Sequence, residues 1–368
     1  MKDLLVEIAE RLMRCPAAPY CETLVAREVT RICDEHRLHY EFDSFGNLLV
    51  RAAARVIKKP IVLAAHMDHP GFVFPRGAKS GALTAQFFGG VGDGYFKEGV
   101  KLRLWPANIP ATLGKQPKKR LFEIRTAEQL TARPEFAVWD LPDFEFSTDI
   151  IRGRVCDDLI GVATILTILI ETRGSKAATN LVGVLSRAEE VGFHGALALA
   201  ESKKLPKGSL VISLETSREL PPVKMGNGVI IRVGDRASIF DSASTRFLTE
   251  VATDLAKNDA TFKFQRALMS GGTCEATAYQ EYGFRCAAVC VALGNYHNCG
   301  DNDQIAAEFV SASDAESMAR LLLECAKNWS REEAITARLP KRLQKLSGEA
   351  HRELNRRPLA IEKERVKR

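Results

Sequence analysis

Two histidines and an aspartate stand within four positions in AHMDHPGF (65–72), directly after the apolar run PIVLAA (60–65). An imidazole and a carboxylate at that spacing can bind a divalent cation. His-x-Asp is also an ordinary polar turn, and Asp before His-Pro-Gly starts one. The rest of the chain decides between the two. Asp157 and Asp158 follow IIRGRV (150–155), Glu189 and Glu190 follow LVGVLS (181–186), Glu215 follows LVISL (210–214), and His297 follows AAVCVALGNY (287–296). Imidazoles and carboxylates with no thiolate required are the nitrogen and oxygen ligands that zinc, cobalt or manganese accept.

Two divalent cations held by His66, Asp157, Glu190, Glu215 and His297 would have three of their four charges offset by carboxylates. A hydroxide completes the balance, so such a cluster can be buried without a large charging cost. Glu189 is then left over beside a ligand, placed as a general base between the attacking water and a leaving amine. Asp68 is two residues from His66 and shares its face on an extended strand. There its carboxylate can accept the second imidazole N–H and fix the tautomer, a supporting catalytic role. His69 points the other way and is read as a non-ligand. A glycosidase using Glu189 and Glu190 is disfavoured, because adjacent acids rarely face each other across a sugar at roughly 5–9.5 Å.

Short apolar runs read as buried strands at 60–65, 179–186, 208–214 and 284–294, and amphipathic or apolar helices fall between them at 157–171, 193–204 and 241–257. That alternation predicts a mostly parallel sheet covered by helices on both faces. TFKFQRA (261–267) alternates and reads as an edge strand. In such sheets ligands bind in the crevice at the carboxyl ends of the strands, and five strands in succession are expected to deliver an acid or imidazole to that edge.

The pieces HMDHPGF (66–72), GRVCDDLIG (153–161), AEEVGFHGA (188–196), SLETS (213–217), SGGTCEA (270–276) and YHN (296–298) resemble, in order, those of the glutamyl and deblocking aminopeptidases, a family of two-metal exopeptidases with tetrahedral assemblies. FDSFGNLLVR (42–51) is similar to the strand pair that precedes the first ligand in that family. The resemblance spans roughly residues 1 to 330. It implies one metal at His66, Asp157 and Glu215, a second at Asp157, Glu190 and His297, a bridging Asp157, Glu189 as base, and a cis Asp157–Asp158 peptide. It also implies a zinc-exopeptidase-like α/β fold in which a small β-barrel is inserted. Two positions depart from the pattern: Glu215 stands where the family has Asp, and Cys274 in GGTCE (271–275) replaces an acid near the substrate, leaving Cys274 and Glu275 there. Substrate preference therefore does not transfer.

The expected organisation is a discontinuous catalytic domain (1–70 and 150–330), an inserted β domain (71–149) and a basic tail (331–368). Eleven Lys or Arg oppose four Glu from residue 334 onward, a net of +7 within a total of +6, so the remainder is near neutral at −1. No aromatic residue is interleaved in RLPKRLQKLSGEAHRELNRRPLAIEKERVKR (338–368), so nucleic acid is not an expected partner. The longest apolar stretch, LIGVATILTILI (159–170), has twelve residues and is too short to cross a bilayer. MKDLLVEIAERLMRC carries Asp3, Glu7 and Glu10 and reads as an amphipathic helix, not an export signal. Nine scattered cysteines without a C-x-x-C pair fit a reducing cytoplasm, with Cys299 expected to be a buried thiol apart from the metals.

These readings converge on a cytoplasmic, homo-oligomeric aminopeptidase acting on peptides through a water activated by two divalent metals, zinc first, with cobalt or manganese as the other choices. The alternatives are an N-acyl amino acid deacylase on the same site and a non-catalytic assembly subunit.

Overall fold

A computed structural model describes residues 1–75 and 83–357. Residues 76–82 of the expected insertion and the end of the basic tail, 358–368, lie outside the described residues.

The main sheet has eight strands in the spatial order His39–Phe42, Leu48–Arg51, Leu181–Ser186, Ile61–His66, Leu210–Arg218, Arg285–Leu293, Val229–Gly234 and Phe264–Leu268. Its four central strands, Leu181–Ser186 through Arg285–Leu293, run parallel, and their residues are almost all buried. Continuous Val, Ile, Leu and Ala runs suit that position, because helices cover both faces of a parallel sheet. The expected α/β class is therefore observed, and Phe264–Leu268 is an edge strand as its alternation predicts.

The helix Leu159–Thr172 buries twelve of its fourteen residues, which explains an apolar run without a polar face. Thr164, Thr167 and Thr172 donate their hydroxyls to the carbonyls of Ile160, Ala163 and Ile168 at 2.8–2.9 Å, so no buried hydroxyl is left unmatched there. Asp158 caps this helix by accepting the Gly161 N–H at 3.2 Å. Gly161 has to be glycine, since a Cβ there would lie 2.2 Å from Asp158 Oδ2.

Six strands between Gly71 and Trp139 close into an antiparallel barrel around Phe72, Phe87, Phe122 and Trp139. Edge-to-face contacts join these rings, with Phe72 and Trp139 centroids 5.0 Å apart. Closure leaves this small sheet with no free edge.

Two strand assignments differ from the sequence reading. Ile150–Gly153, which leads to Asp157, belongs to a separate three-stranded sheet with Glu145–Ser147 and Glu308–Ser311, not to the main sheet. Val229–Gly234, unrecognised in the sequence, pairs antiparallel with Arg285–Leu293 and extends the sheet. The first of these corrects the expectation that five strands of one sheet supply the site. At the C-terminus, Arg338–Arg356 forms a helix with no buried residue. Among the described residues no helix is long and apolar enough to cross a membrane.

Candidate metal centre

The strands Ile61–His66 and Leu210–Arg218 pair only as far as Ala64 and Ser213. Beyond that point they separate, and the second continues beside Arg285–Leu293 alone. His66 ends one wall of the opening and Glu215 lies on the other, inside its strand and not after it as the sequence suggested. Strand divergence thus makes the crevice that the topology requires.

Asp157 fills the middle. Its Oδ1 lies 3.5 Å from His66 Nε2, and its Oδ2 lies 3.5 Å from His297 Nε2. Glu190 Oε1 is 3.1 Å from His297 Nε2. His66, Asp157 and Glu215 present ligand atoms within 4.8 Å of one another, and so do Asp157, Glu190 and His297. A third grouping within the same span is His66, Glu189 and Glu190. Glu189 Oε2 is 4.0 Å from His66 Nε2. The Asp157–Asp158 peptide is cis, as the resemblance implied.

This donor set fits a divalent cation. Asp157 Oδ1 and Glu190 Oε1 are buried and accept no hydrogen bond, although imidazole nitrogens stand close by. Two ligands on one tetrahedral ion with bonds of ~2.0–2.1 Å are separated by about 3.3 Å, a value that the 3.1 and 3.5 Å spacings here bracket. Buried polar atoms that converge without bonding one another are otherwise costly.

The electrostatics reflect confinement. Burial, then the nearby Glu215 and Glu190, pushes the Glu189 carboxyl well above its usual range. Burial likewise raises Glu215 to about 8. Burial alone would also raise Asp157, but contacts with His297 and His66 outweigh it and hold that carboxyl below the ordinary value.

Asp68 supports the cluster differently from expectation. Its carboxylate accepts the backbone N–H groups of Glu189 at 2.9 Å and Glu190 at 3.2 Å, fixing the turn that presents both acids. His66 Nδ1 is instead 3.1 Å from the Asp68 backbone carbonyl, while the carboxylate is 3.6 Å away, beyond a good hydrogen bond. His69 faces away from the ligand atoms and bonds the Asp157 carbonyl at 2.9 Å and Asn298 Oδ1 at 3.0 Å. Cys299 packs against the barrel core, and Cys274 is buried.

Sequence reasoning missed three contributors. Glu308 accepts the N–H groups of Cys156 and Asp157 with one oxygen and that of His297 with the other. An acid between Ala307 and Phe309 in a buried strand was its available signal. Gly90, in the barrel, offers its carbonyl to His297 Nδ1 at 3.0 Å, and a backbone group leaves no sequence trace. Arg232 sits fully buried in the apolar run VIIRVG.

The cluster opens into a cavity of about 400 Å³ whose lining also includes Thr216, Arg218, Arg232, Arg236 and Met269. Arg232 bonds Ser217 Oγ at 3.3 Å and leaves Nε without a partner. Among the described residues none of the three arginines forms an ion pair.

The family model for the M42 glutamyl aminopeptidases matches residues 122–321. The chain belongs to that family. It is accordingly a peptidase, a hydrolase of the aminopeptidase type with a cluster suited to the metal dependence of its family. Solved structures with this fold include the TET1 peptidase of Pyrococcus horikoshii, at 20% identity and a TM-score of 0.73, covering 88% of this chain and 99% of that one. A TET aminopeptidase from a marine-sediment archaeon of the Thaumarchaeota matches at 20% identity and a TM-score of 0.75 over 90% of this chain and 99% of that one. An aminopeptidase from the archaeon Desulfurococcus kamchatkensis matches at 19% identity and a TM-score of 0.68, covering 88% and 94%. At these identities the structures speak for the fold of this M42 peptidase and for nothing finer.

Proposed function

We propose that this peptidase removes N-terminal residues from peptides at a two-cation centre with Glu189 as general base. The observation that carries the reading is the Asp157 carboxylate lying between His66 and His297, with Glu215 and Glu190 completing a group on either side. His66, Asp157 and Glu215 would hold one cation, and Asp157, Glu190 and His297 the other. Bound divalent ions supply Lewis acidity toward the scissile carbonyl and the attacking water. Zinc suits the nitrogen and oxygen donors, with cobalt and manganese as substitutes. Glu189 Oε2 lies 4.0 Å from His66 Nε2, beside the cluster, where the carboxylate can take a proton from the attacking water and return it to the leaving amine. Asp68 keeps Glu189 and Glu190 aimed through their backbones.

The arginines beside the cluster support an acidic N-terminal residue as substrate. Burial opposes the Arg232 charge, nearby groups including Glu215 and Asp235 favour it, and its Nε is left without a partner for an incoming carboxylate to meet. The P. horikoshii relative assembles into a tetrahedron or a larger octahedral shell, and we extend a homo-oligomeric state to this chain. Among the described residues no two cysteines form a disulfide, which fits a reducing compartment such as the cytoplasm. The division we propose is a catalytic unit of residues 1–70 and 150–330, a barrel insertion of 71–149 and a basic tail of 331–368.

The test is hydrolysis of glutamyl, alanyl and lysyl anilides beside N-acyl amino acids, after chelation and re-addition of zinc, cobalt or manganese. Metal-restored release from the glutamyl anilide supports the reading. Cleavage confined to N-acyl amino acids would replace it with a deacylase.

A further inference from the structure

His297 sits in an uncomfortable stretch of backbone. Asn295, His297 and Asn298 all have φ between 52° and 60°, in the left-handed region that non-glycine residues occupy only when their surroundings hold them. Glu308 provides one hold from the three-stranded sheet. The other comes from the barrel.

The barrel segment between strands Thr84–Phe88 and Lys101–Trp105 lies along residues 297–305. Gly90 accepts from His297 Nδ1, Tyr95 Oη donates to the Gly300 carbonyl at 2.9 Å, and Lys97 Nζ donates to the Asp303 carbonyl at 2.9 Å. The gripped segment is itself a tight finger, bridged between Cys299 and Ile305 and closed by Gly300 N–H on Gln304 O at 3.0 Å. Cys299 and Ile305 pack their side chains against the barrel's aromatic core. The barrel therefore packs on the neck of the finger, leaves its tip (301–304) exposed, and sets the ring at its base. With its Nδ1 proton engaged by Gly90, His297 turns a bare Nε2 toward Asp157 and Glu190.

Among the described residues no barrel group bonds the other imidazole. His66 is oriented by the carbonyl of Asp68, three residues before the barrel begins, and Glu215 lies in the main sheet. The two halves of the centre are thus supported by different parts of the fold.

Resting on the two-cation reading, we propose that the barrel insertion is a clamp on His297, with Gly90, Tyr95 and Lys97 as positioning residues, so that the cation at Asp157, Glu190 and His297 depends on the barrel while the cation at His66, Asp157 and Glu215 does not. Outer partners of metal-binding histidines typically change metal affinity by about 10- to 100-fold when removed.

The test compares the full chain with the double variant Tyr95→Phe, Lys97→Ala, both stripped of metal and titrated calorimetrically with zinc. Tyr95 is half-buried and Lys97 exposed, so the variant has no core to lose. The clamp predicts two events in the wild type, of which the variant keeps one within about 2-fold and weakens the other by about 10-fold, the lower end for an outer partner because the Gly90 contact remains. Equal weakening of both, or no change in either, overturns it. Amide hydrogen exchange of residues 295–305 on the metal-free proteins is the second readout: faster exchange in the variant supports the clamp, and unchanged exchange overturns it. A wild type that binds fewer than two ions refutes the two-cation reading in its own arm, and leaves the grip on the finger to be judged by exchange.

Discussion

Glu308 Oε2 accepts the backbone N–H of Asp157 at 3.0 Å, so the residue at the centre of the cluster is held by its main chain as well as by its ligand partners. The other Glu308 oxygen takes the His297 N–H at 2.8 Å, which couples two segments 140 residues apart in the chain through one buried side chain. Glu308→Gln keeps the shape but has a single acceptor oxygen, so one of the two segments loses its anchor. Metal affinity is expected to fall by about 10- to 100-fold. Equilibrium dialysis against zinc measures it, and unchanged affinity would remove Glu308 from the account.

Glu189→Gln separates chemistry from binding. The amide cannot accept and return a proton, so turnover should fall by at least about 10²- to 10⁴-fold. Zinc content should stay as in the parent, because Glu189 is outside the two ligand groups centred on Asp157. Parallel rate and elemental measurements decide it, and an active Glu189→Gln protein would leave the reaction without its base.

Arg218 and Arg236 line the cavity and are exposed at its rim, so they can be removed without opening the core. A charge-assisted hydrogen bond contributes about 1.5–3 kcal/mol. Their alanine variants should therefore reduce kcat/KM for a glutamyl anilide by roughly 10- to 100-fold. Rates on an alanyl anilide should barely move. Equal losses on both substrates would argue against an acidic subsite.

Acid stability should depend on Asp149, which ties the first helix to the start of Ala312–Asn328. Lys2 pairs with it, and the hydroxyls of Ser311 and Ser313 each donate at 2.8 Å. Burial opposes ionisation, but these bonds outweigh it and hold the carboxyl below its ordinary value. A carboxyl lowered by folding stabilises the protein above its unfolded pKa of about 3.9, and that contribution is lost as pH falls through the folded value. Asp149→Asn should thus be less stable than the parent to urea at pH 7, with the gap narrowing below about pH 4. A gap independent of pH would contradict the assignment.

Local pattern made part of this site legible. Valine, isoleucine and alanine runs marked the central strands, and the acids and imidazoles that follow them stand out because polar groups at such exits share an edge. What escaped were features set by pairing. Glu215 looked like a residue after a strand because nothing in LVISLETSR reveals that one neighbour of the strand ends at Ala64 while the other continues. Ile150–Gly153 reads like any short strand, and its membership of a second sheet depends on Glu308–Ser311, more than 150 residues away. Strand alternation points Asp68 toward His66, but the chain turns after His66 and carries that carboxylate to the Glu189 and Glu190 amides. The barrel's hold on His297 runs through a glycine carbonyl, for which residue type carries no information.

The most direct measurement is the number of divalent ions per chain, by elemental analysis of chelated protein reloaded with zinc and freed of excess. Shared ligation by Asp157 predicts two, both lost with activity on chelation and both regained together. One ion or none at saturation, with peptide hydrolysis intact, would contradict it.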